Sequence, residues 1–252
     1  MSSAEPKVAV VTGAARGIGR SVAAALLEVG WRCAVTDIQA DLVAETAREL
    51  HPDGSRCLPV VMDVTASDSV IQAVTRIGDE LGPISGLVNN AGWDEHHLFV
   101  DTDEDFWRRV VEVNYLGVLR TCKAIVPGMI DRGRGAIVNI ASDAGRVGST
   151  GEAVYSGAKG AVIAFTKSLA RETARAGLNV NCVCPGPTET PLVQEMRGDP
   201  DYDRLISAIV KATPFRRFGQ PHEIATAVRF LIDESGFITG QTLSVSGGLT
   251  MV

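Results

Sequence analysis

The sequence lacks the features that mark membrane, exported and nucleic-acid-binding proteins. It has no apolar run near the roughly 20 residues that span a bilayer, and its start, MSSAEPKVAVVTG, has neither the basic nor the long apolar segment of a signal peptide. It also has no block of lysines or arginines, and its net charge is −6. We therefore expect a cytoplasmic protein with no membrane and no nucleic-acid partner.

Cysteines are few, and their spacing is not that of a metal site or a disulfide framework. The chain has five cysteines, an odd number, without a paired C-x-x-C motif. Cys182 and Cys184 face the same side of a predicted strand, but two thiols without nearby histidines make a poor metal site. We predict buried free thiols and no metal at Cys33, Cys57, Cys122, Cys182 and Cys184.

Apolar, β-branched runs alternate with longer amphipathic segments along the chain. This alternation predicts an α/β fold, a Rossmann-type doubly wound parallel sheet of about seven strands with helices on both faces. We find no repeat or linker, so residues 1–252 are predicted to form a single domain. Predicted strands cover 7–12, 32–37, 57–64, 85–90, 136–142, 179–185 and 242–247. Predicted helices cover 17–29, 40–50, 67–81, 103–132, 153–176 and 221–232.

Residues 186–205 show the least pattern, with two proline-containing turns and mixed charge. Long irregular segments of this kind often cover binding sites. We therefore expect a mobile substrate flap near 186–212.

A glycine-rich turn, TGAARGIG at 12–19, joins the first strand to the first helix. Glycines let the backbone approach a pyrophosphate, whose charge is favoured by the free N–H groups of a helix start. The spacing is G-x-x-x-G-x-G, and an ordinary strand-to-helix turn is the alternative interpretation. The cofactor contacts expected here are Gly13, Arg16, Gly17, Ile18 and Gly19.

Asp37 ends the second strand, about 20 residues after the glycine turn, where a carboxylate can accept hydrogen bonds from an adenosine ribose. Its charge would repel a 2′-phosphate, which favours NAD over NADP, although Arg16 leaves room for NADP. A helix cap or turn residue is the alternative role for Asp37.

Two further strand ends extend the same crevice. Asp63 can accept from an adenine amino group while Val64 covers the ring, and the segment NNAG at 89–92 lets a nucleotide lie close to the backbone. Asn89 is equally suited to a structural role between strands. The expected cofactor contacts are Asp63, Val64, Asn90, Ala91 and Gly92.

Tyr155 and Lys159 stand one helical turn apart among small residues, in YSGAK. Positions i and i+4 share a helix face, and a nearby ammonium lowers the pKa of a phenol, which is ordinarily near 10. Ser142, at a strand end, is placed to hold a substrate oxygen that exchanges a proton with Tyr155. Asn114 is a candidate to anchor a water or bend the long helix.

Taken together, these motifs resemble the short-chain dehydrogenase/reductase family over nearly the whole chain. The resemblance implies that Tyr155 is the general acid/base, Ser142 orients the substrate, Lys159 lowers the Tyr155 pKa and binds ribose, and Asn114 completes a proton relay. It further implies a homotetramer and nicotinamide contacts from Pro185, Gly186 and Thr188. A non-catalytic dinucleotide sensor is the alternative from another functional class.

Segments that depart from the common family pattern suggest the substrate, a small hydroxy or keto compound with a CoA thioester as one candidate. NNAGWDE, NIASDAGRVGSTGEAVYSGAK and CPGPTET resemble family members that oxidise a ring-bearing 3-hydroxyacyl-CoA. The family pattern also fits 3-oxoacyl-(acyl carrier protein) reductases, against which Asp37 argues. Each of three candidates also has a plainer interpretation. Trp93 would pack in the core, Arg146 would lie in a solvent-facing turn, and Glu152 would start a helix. The candidate substrate residues are Trp93, Asp143, Arg146 and Glu152.

Overall fold

The computed structural model describes residues 6–198 and 200–252 and contains a seven-stranded sheet. The strand order is β3-β2-β1-β4-β5-β6-β7, and every neighbouring pair is parallel. This arrangement confirms the predicted doubly wound sheet. The strands are β1 (Val8–Thr12), β2 (Arg32–Asp37), β3 (Cys57–Val61), β4 (Ile84–Asn89), β5 (Gly135–Ile140), β6 (Leu178–Pro185) and β7 (Thr242–Val245).

Helices cover both faces of the sheet. They are α1 (Gly17–Glu28), α2 (Ala40–Leu50), α3 (Ser67–Leu81), α4 (Glu104–Val111), α5 (Gly117–Asp131), α6 (Ala144–Val147), α7 (Ala153–Thr173), α8 (Pro191–Met196), α9 (Pro200–Ala212) and α10 (Pro221–Asp233). One apolar core lies between the sheet and α3, α5 and α7, and the other between the sheet and α1, α2 and α10. In β1, Val8 and Val10 enter the first core while Ala9 and Val11 enter the second. Burial on both faces explains the continuous apolar runs of the strands.

The predicted helix over 103–132 is divided in the structure. A π-helical turn, Glu112–Leu116, separates α4 from α5. Asn114 lies in this turn and is fully buried. Its amide donates to the carbonyl of Val110 at 2.9 Å and to that of Trp93 at 2.6 Å. The side chain is thus satisfied by the backbone of α4 and by that of the loop after β4.

The weakly patterned stretch after β6 contains two helices that the sequence analysis did not predict. Pro191 occupies the first turn of α8, and the Thr190 hydroxyl caps that helix by accepting from the backbone of Val193. Pro200 is the first residue of α9. Proline is favoured at the first helical position because its missing N–H has no partner there. The mobility of this flap stays a prediction.

A chain of buried polar side chains ties the centre of the sheet to the helices of one face. Asn89 donates to Asn139 across β4 and β5 at 2.8 Å and accepts from the Thr121 hydroxyl at 2.6 Å. Asn139 in turn donates to Thr166 on α7 at 2.9 Å. Asn89 therefore has the structural role that was its alternative interpretation.

All five cysteines are free and buried, which confirms the prediction for the thiols. Within residues 6–198 and 200–252, none of the helices is long and apolar enough to cross a membrane.

We expect Asn89→Ala to lower the free energy of unfolding by roughly 1–3 kcal/mol, the usual cost of leaving a buried polar atom without its partner. The variant removes the donor to the Asn139 side-chain oxygen, which is fully buried. Urea denaturation measures the change. Thr75→Ala, at an exposed helical site, serves as the control and should change it by less than about 0.5 kcal/mol. Equal losses in both variants would contradict the role of the amide chain.

Candidate active site

The carboxyl ends of β1, β2 and β4 meet around the start of α1, and the glycine turn lies between them. Gly13 adopts φ 60°, a left-handed conformation that favours glycine. A Cβ on Gly19 would lie 2.4 Å from the Gly13 carbonyl oxygen, so only glycine fits where the helix crosses the turn. The turn leads directly into α1, whose first backbone N–H groups have no partner within the helix, an arrangement suited to a phosphate.

The side chain of Asn90 supports the glycine turn. Its amide donates to the carbonyls of Thr12 and Gly13, both at 2.9 Å. The Thr12 hydroxyl accepts from the backbone N–H groups of Asn90 and Ala91, also at 2.9 Å. The NNAG segment therefore fixes the shape of the turn.

Ile18, another expected cofactor contact, is partly buried against the core between the sheet and α1, α2 and α10.

Asp37 lies at the end of β2, beside the same turn. Its carboxylate accepts from the backbone N–H of Ala15 at 3.3 Å and from that of Gln39 at 3.1 Å. The carboxylate thus stabilises the turn, which was the alternative role considered for Asp37. It also lies at the edge of the crevice. Whether it contacts a ribose stays a prediction.

Helix α8 lies against the glycine turn. The Arg16 guanidinium forms an ion pair with Glu195 of this helix. The ring of Pro191 would lie 3.5 Å from a Cβ on Gly17. Arg16 is therefore engaged by the predicted flap.

At the third strand end, Asp63 closes a tight turn, accepting from both the backbone and the hydroxyl of Thr65 at 2.8 and 2.7 Å. Val64 is buried beside Gly117, and a Cβ added to Gly117 would lie 2.9 Å from a methyl carbon of Val64.

On the far side of the site, the Thr188 hydroxyl donates to the Gly186 carbonyl, and the Pro185 carbonyl accepts from the N–H of Asp143.

Tyr155 and Lys159 share one face of α7, as predicted. The Lys159 Nζ atom lies 5.5 Å from the centre of the Tyr155 ring and donates to the carbonyl of Ile140 at 3.0 Å. Ser142, two residues beyond Ile140, forms a hydrogen bond that opposes the rise in the Tyr155 pKa. A Cβ on Gly92 would lie 3.0 Å from Asn114 Oδ1 and 3.6 Å from Lys159 Nζ. The structure therefore brings the four predicted catalytic residues together.

The pKa of Tyr155 lies above its ordinary value. Burial is the largest cause, and the nearby carboxyl groups of Glu152 and Asp94 add to it. This direction is opposite to the lowering that we expected from Lys159. Burial also lowers the pKa of Lys159 itself to about 8, which weakens the positive charge available to a phenolate.

The four candidate substrate residues do not lie together in the structure. Arg146 donates to the Ser244 hydroxyl on β7, and Ser244 donates to Asp143. Neither of these charged residues lines the pocket beside Tyr155. Their contact with a substrate stays a prediction.

Trp93 packs in an aromatic and cationic cluster with α4. The Arg109 guanidinium lies 3.7 Å from the centre of one Trp93 ring, and the Phe106 ring centre is 5.7 Å away. The sequence analysis did not identify Arg109. Trp93 is half-buried and belongs to neither apolar core, so the core-packing alternative does not describe it, and its contact with a substrate stays a prediction.

Glu152 borders one narrow crevice together with Tyr155 and Asp94, and this crevice has no room for a water molecule in this structure. Asp94 is only 5% exposed, and its Oδ1 atom has no hydrogen-bond partner among the described residues. Burial raises the pKa of Asp94 to about 8, with Glu152 as the second cause, and burial raises the pKa of Glu152 as well. Asp94 lies within the segment NNAGWDE, and no role was predicted for it from the sequence.

Two side chains from separate segments stand near this acid pair. The ring of His96 lies 5.8 Å from that of Tyr202, which α9 contributes and which is buried. His96 was given no catalytic role, and its proximity to Glu152 offsets part of the rise in the pKa of that carboxyl. The arrangement as a whole offers a proton-bearing phenol, a hydroxyl and an ammonium next to a crevice fit for a dinucleotide.

Comparisons with known proteins agree with this geometry. A family model described as enoyl-(acyl carrier protein) reductase matches residues 13–250. A 3-oxoacyl-(acyl-carrier-protein) reductase of Vibrio cholerae is 38% identical, over 98% of this chain and 99% of its own length. An acetoacetyl-CoA reductase of Synechocystis is 40% identical, over 96% of each. A variant of actinorhodin polyketide ketoreductase, crystallised with NADPH, matches with a TM-score of 0.91 and 35% identity over 99% of both chains.

We expect Asp94→Asn to raise the stability of the protein more at pH 8 than at pH 5. The folded chain keeps a proton on Asp94 up to about pH 8, whereas the unfolded chain releases it near its ordinary value of 3.8. The free energy of unfolding of the unsubstituted protein therefore falls as the pH rises between these values. A gain of only about 1 kcal/mol would raise the melting temperature by about 2–4 °C.

Thermal unfolding of both proteins across this pH range measures the difference. Glu45→Gln, which changes an exposed carboxylate on α2, is the control and should give a curve parallel to that of the unsubstituted protein. A parallel curve for Asp94→Asn would rule out a strongly raised pKa.

Proposed function

Because this chain belongs to the short-chain dehydrogenase/reductase family, a family of nicotinamide-dependent oxidoreductases that act on CH–OH and keto groups, we propose that it interconverts a 3-hydroxyacyl thioester and its 3-keto form. The observation that carries the proposal is the meeting of Tyr155, Lys159 and Ser142 beside the glycine turn. The names of the Vibrio cholerae and Synechocystis relatives, reductases of acyl carrier protein and CoA substrates, support the acyl class.

The crevice fits a nicotinamide dinucleotide. The glycine turn would receive the pyrophosphate, Asp37 the adenosine ribose, and Asp63 and Val64 the adenine. Gly92 has no side chain and lies beside Lys159 and Asn114, which leaves room for the nicotinamide ribose. Pro185, Gly186 and Thr188 would border the nicotinamide, whose chemistry when bound is the transfer of a hydride. The carboxylate of Asp37 favours NAD over NADP.

The chain's own residues handle the proton. Tyr155 gives its phenolic proton to the keto oxygen in reduction and accepts the hydroxyl proton in oxidation. Ser142 holds the same oxygen in place. Lys159 holds the ribose. Its ammonium also stabilises the phenolate form of Tyr155, which burial disfavours. Asn114, whose side chain ties the π-helical turn to the backbone of Trp93, would anchor a water for proton exchange with Lys159.

We propose that the acyl group bears a ring, as in 2-hydroxycyclohexanecarboxyl-CoA. The sequence segments around Trp93, Glu152 and Thr188 resemble those of enzymes for such substrates. Phe99 and Phe106 border the same narrow crevice as Tyr155, and apolar rings suit a saturated ring better than a charged group.

Reduction of a 3-oxoacyl group on acyl carrier protein is the second candidate, and the name of the Vibrio cholerae relative favours it. Such a reductase is expected to prefer NADPH. A non-catalytic dinucleotide sensor has no specific support from the site.

The homotetramer implied by the family resemblance also remains a proposal. Apolar side chains exposed beside the edge strand β7 fit such contacts, since Phe237 and Met251 lie largely open to solvent and Leu243 is 42% exposed. The cytoplasmic location stays a prediction.

We expect the protein to form NADH from 2-hydroxycyclohexanecarboxyl-CoA at least about tenfold faster, in kcat/KM, than from a simple secondary alcohol, because remote binding energy positions the reacting carbon. Tyr155→Phe should lose at least about 100-fold of the activity, since it lacks the acid/base group. It should bind NADH normally, as measured by fluorescence titration. NADH binding with no turnover of any alcohol would favour the sensor, and thioester turnover only from carrier protein would favour the second candidate.

We expect kcat/KM with NAD to exceed that with NADP, and Asp37→Asn to reduce this ratio at least about tenfold because it removes the charge that repels a 2′-phosphate. Steady-state rates with each cofactor give the ratio. Asp41→Asn, at an exposed position in the first turn of α2, is the matched control and should leave the ratio unchanged. A preference for NADP in the unsubstituted protein would refute the assignment of NAD.

A further inference from the structure

Arg16 lies beside the place that we assign to the adenosine ribose. It directly precedes α1, and the backbone N–H of its neighbour Ala15 donates to the Asp37 carboxylate at 3.3 Å. A guanidinium can pair with a phosphate through two parallel hydrogen bonds. Arg16 is therefore placed to pair with a 2′-phosphate on this ribose.

Helix α8 supplies a competing anion for Arg16. Both carboxylate oxygens of Glu195 contact the guanidinium, because Nη1 donates to Oε1 and Nη2 donates to Oε2 at 3.2 Å. This two-point contact occupies terminal N–H groups that would otherwise be free to bind a phosphate. Arg197, directly after α8, does not compete for Glu195, since it pairs with Glu189 at 2.7 Å.

Contacts besides the ion pair hold α8 over the glycine turn. Pro191 would lie 3.5 Å and Thr190 3.9 Å from a Cβ on Gly17. The Thr190 hydroxyl also caps α8 by accepting from the backbone of Val193. The packing of the helix therefore presents Glu195 to the guanidinium. The Glu195 side chain is 55% exposed, so replacing its carboxylate removes a charge without opening a cavity.

We propose that Glu195 is a specificity-determining residue for the cofactor. By occupying Arg16, it denies a 2′-phosphate its positive partner and so favours NAD over NADP. The inference rests on the proposed function, which places the adenosine ribose at Asp37. It adds a residue of the flap to a selection that Asp37 would otherwise make alone.

The physical reason is a difference in what each cofactor requires of Arg16. NAD carries no charged group at the 2′ position and leaves the ion pair intact. A phosphate monoester, with a charge of about −1.5 to −2 at neutral pH, would either meet Asp37 without a cation or take Arg16 from Glu195. In the second case the freed carboxylate stays close to the phosphate and repels it. The selection thus arises from an unfavourable contact with the wrong cofactor.

Fluorescence titration of the full chain with NADH and with NADPH gives the ratio of the two dissociation constants without any turnover. We expect the unsubstituted protein to bind NADH more tightly. Glu195→Gln keeps the shape of the side chain and frees Arg16. It should shift the ratio about fivefold toward NADPH, a modest change because water screens a partly exposed ion pair. In an Arg16→Gln background, the same substitution should shift the ratio by less than about twofold, since no guanidinium remains to be released.

Glu49→Gln is the matched control, because it breaks a similar ion pair on the neighbouring turn of α1. Glu49 pairs with Arg20 at 3.0 Å, and its side chain is 53% exposed, against 55% for Glu195. This variant removes the same charge by the same chemical change. Its ratio should equal that of the unsubstituted protein.

Three results would overturn the inference while the proposed function stands. They are an unchanged ratio in Glu195→Gln, a tighter binding of NADPH than of NADH by the unsubstituted protein, and an equal shift in the Arg16→Gln background. The last result would mean that Glu195 repels the phosphate directly. Binding of neither nucleotide by the unsubstituted protein would overturn the proposed function as well.

Discussion

The hydrogen bond from Lys159 to the carbonyl of Ile140 fixes the geometry on which the site depends. Lys159 is 3% exposed, so its ammonium needs an acceptor inside the protein, and the 3.0 Å contact joins α7 to the end of β5. Tyr155 stands one turn earlier on the same helix, and Ser142 follows two residues after Ile140. One buried contact therefore sets the separation between a phenol carried by a helix and a hydroxyl carried by a strand end.

Much of the fold was predictable because the central strands are buried on both faces and the helices on one. These two patterns have different periods, which locate the seven strands and the long helices within a few residues. The π-helical turn at Glu112–Leu116 was not predictable in detail, since it depends on the contact between Asn114 and the carbonyl of Trp93, 21 residues away. Helices α8 and α9 were not predicted, because proline at 191 and 200 indicates a break in a helix as readily as the first turn of one.

The site was predictable where chemistry requires a fixed local spacing, as for Tyr155 and Lys159. It was not predictable where burial decides a residue's chemistry. Asp94 follows a tryptophan and precedes another acid, a context typical of a solvent-exposed loop, yet the fold buries it against Glu152. Likewise, Arg146 and Asp143 are partnered through Ser244, 98 and 101 residues away. Such pairings arise from tertiary structure and leave no periodic signal.

The acid pair also bears on the direction of proton transfer. Burial and the carboxyl groups of Glu152 and Asp94 raise the pKa of Tyr155, so the phenol holds its proton at neutral pH in the free protein. A protonated phenol is ready to donate to a keto oxygen, whereas alcohol oxidation first needs the proton removed. Lys159 opposes this bias only while it is charged, and burial brings its own pKa to about 8. The same two carboxyl groups thus influence the protonation state of the residue proposed to act on the substrate.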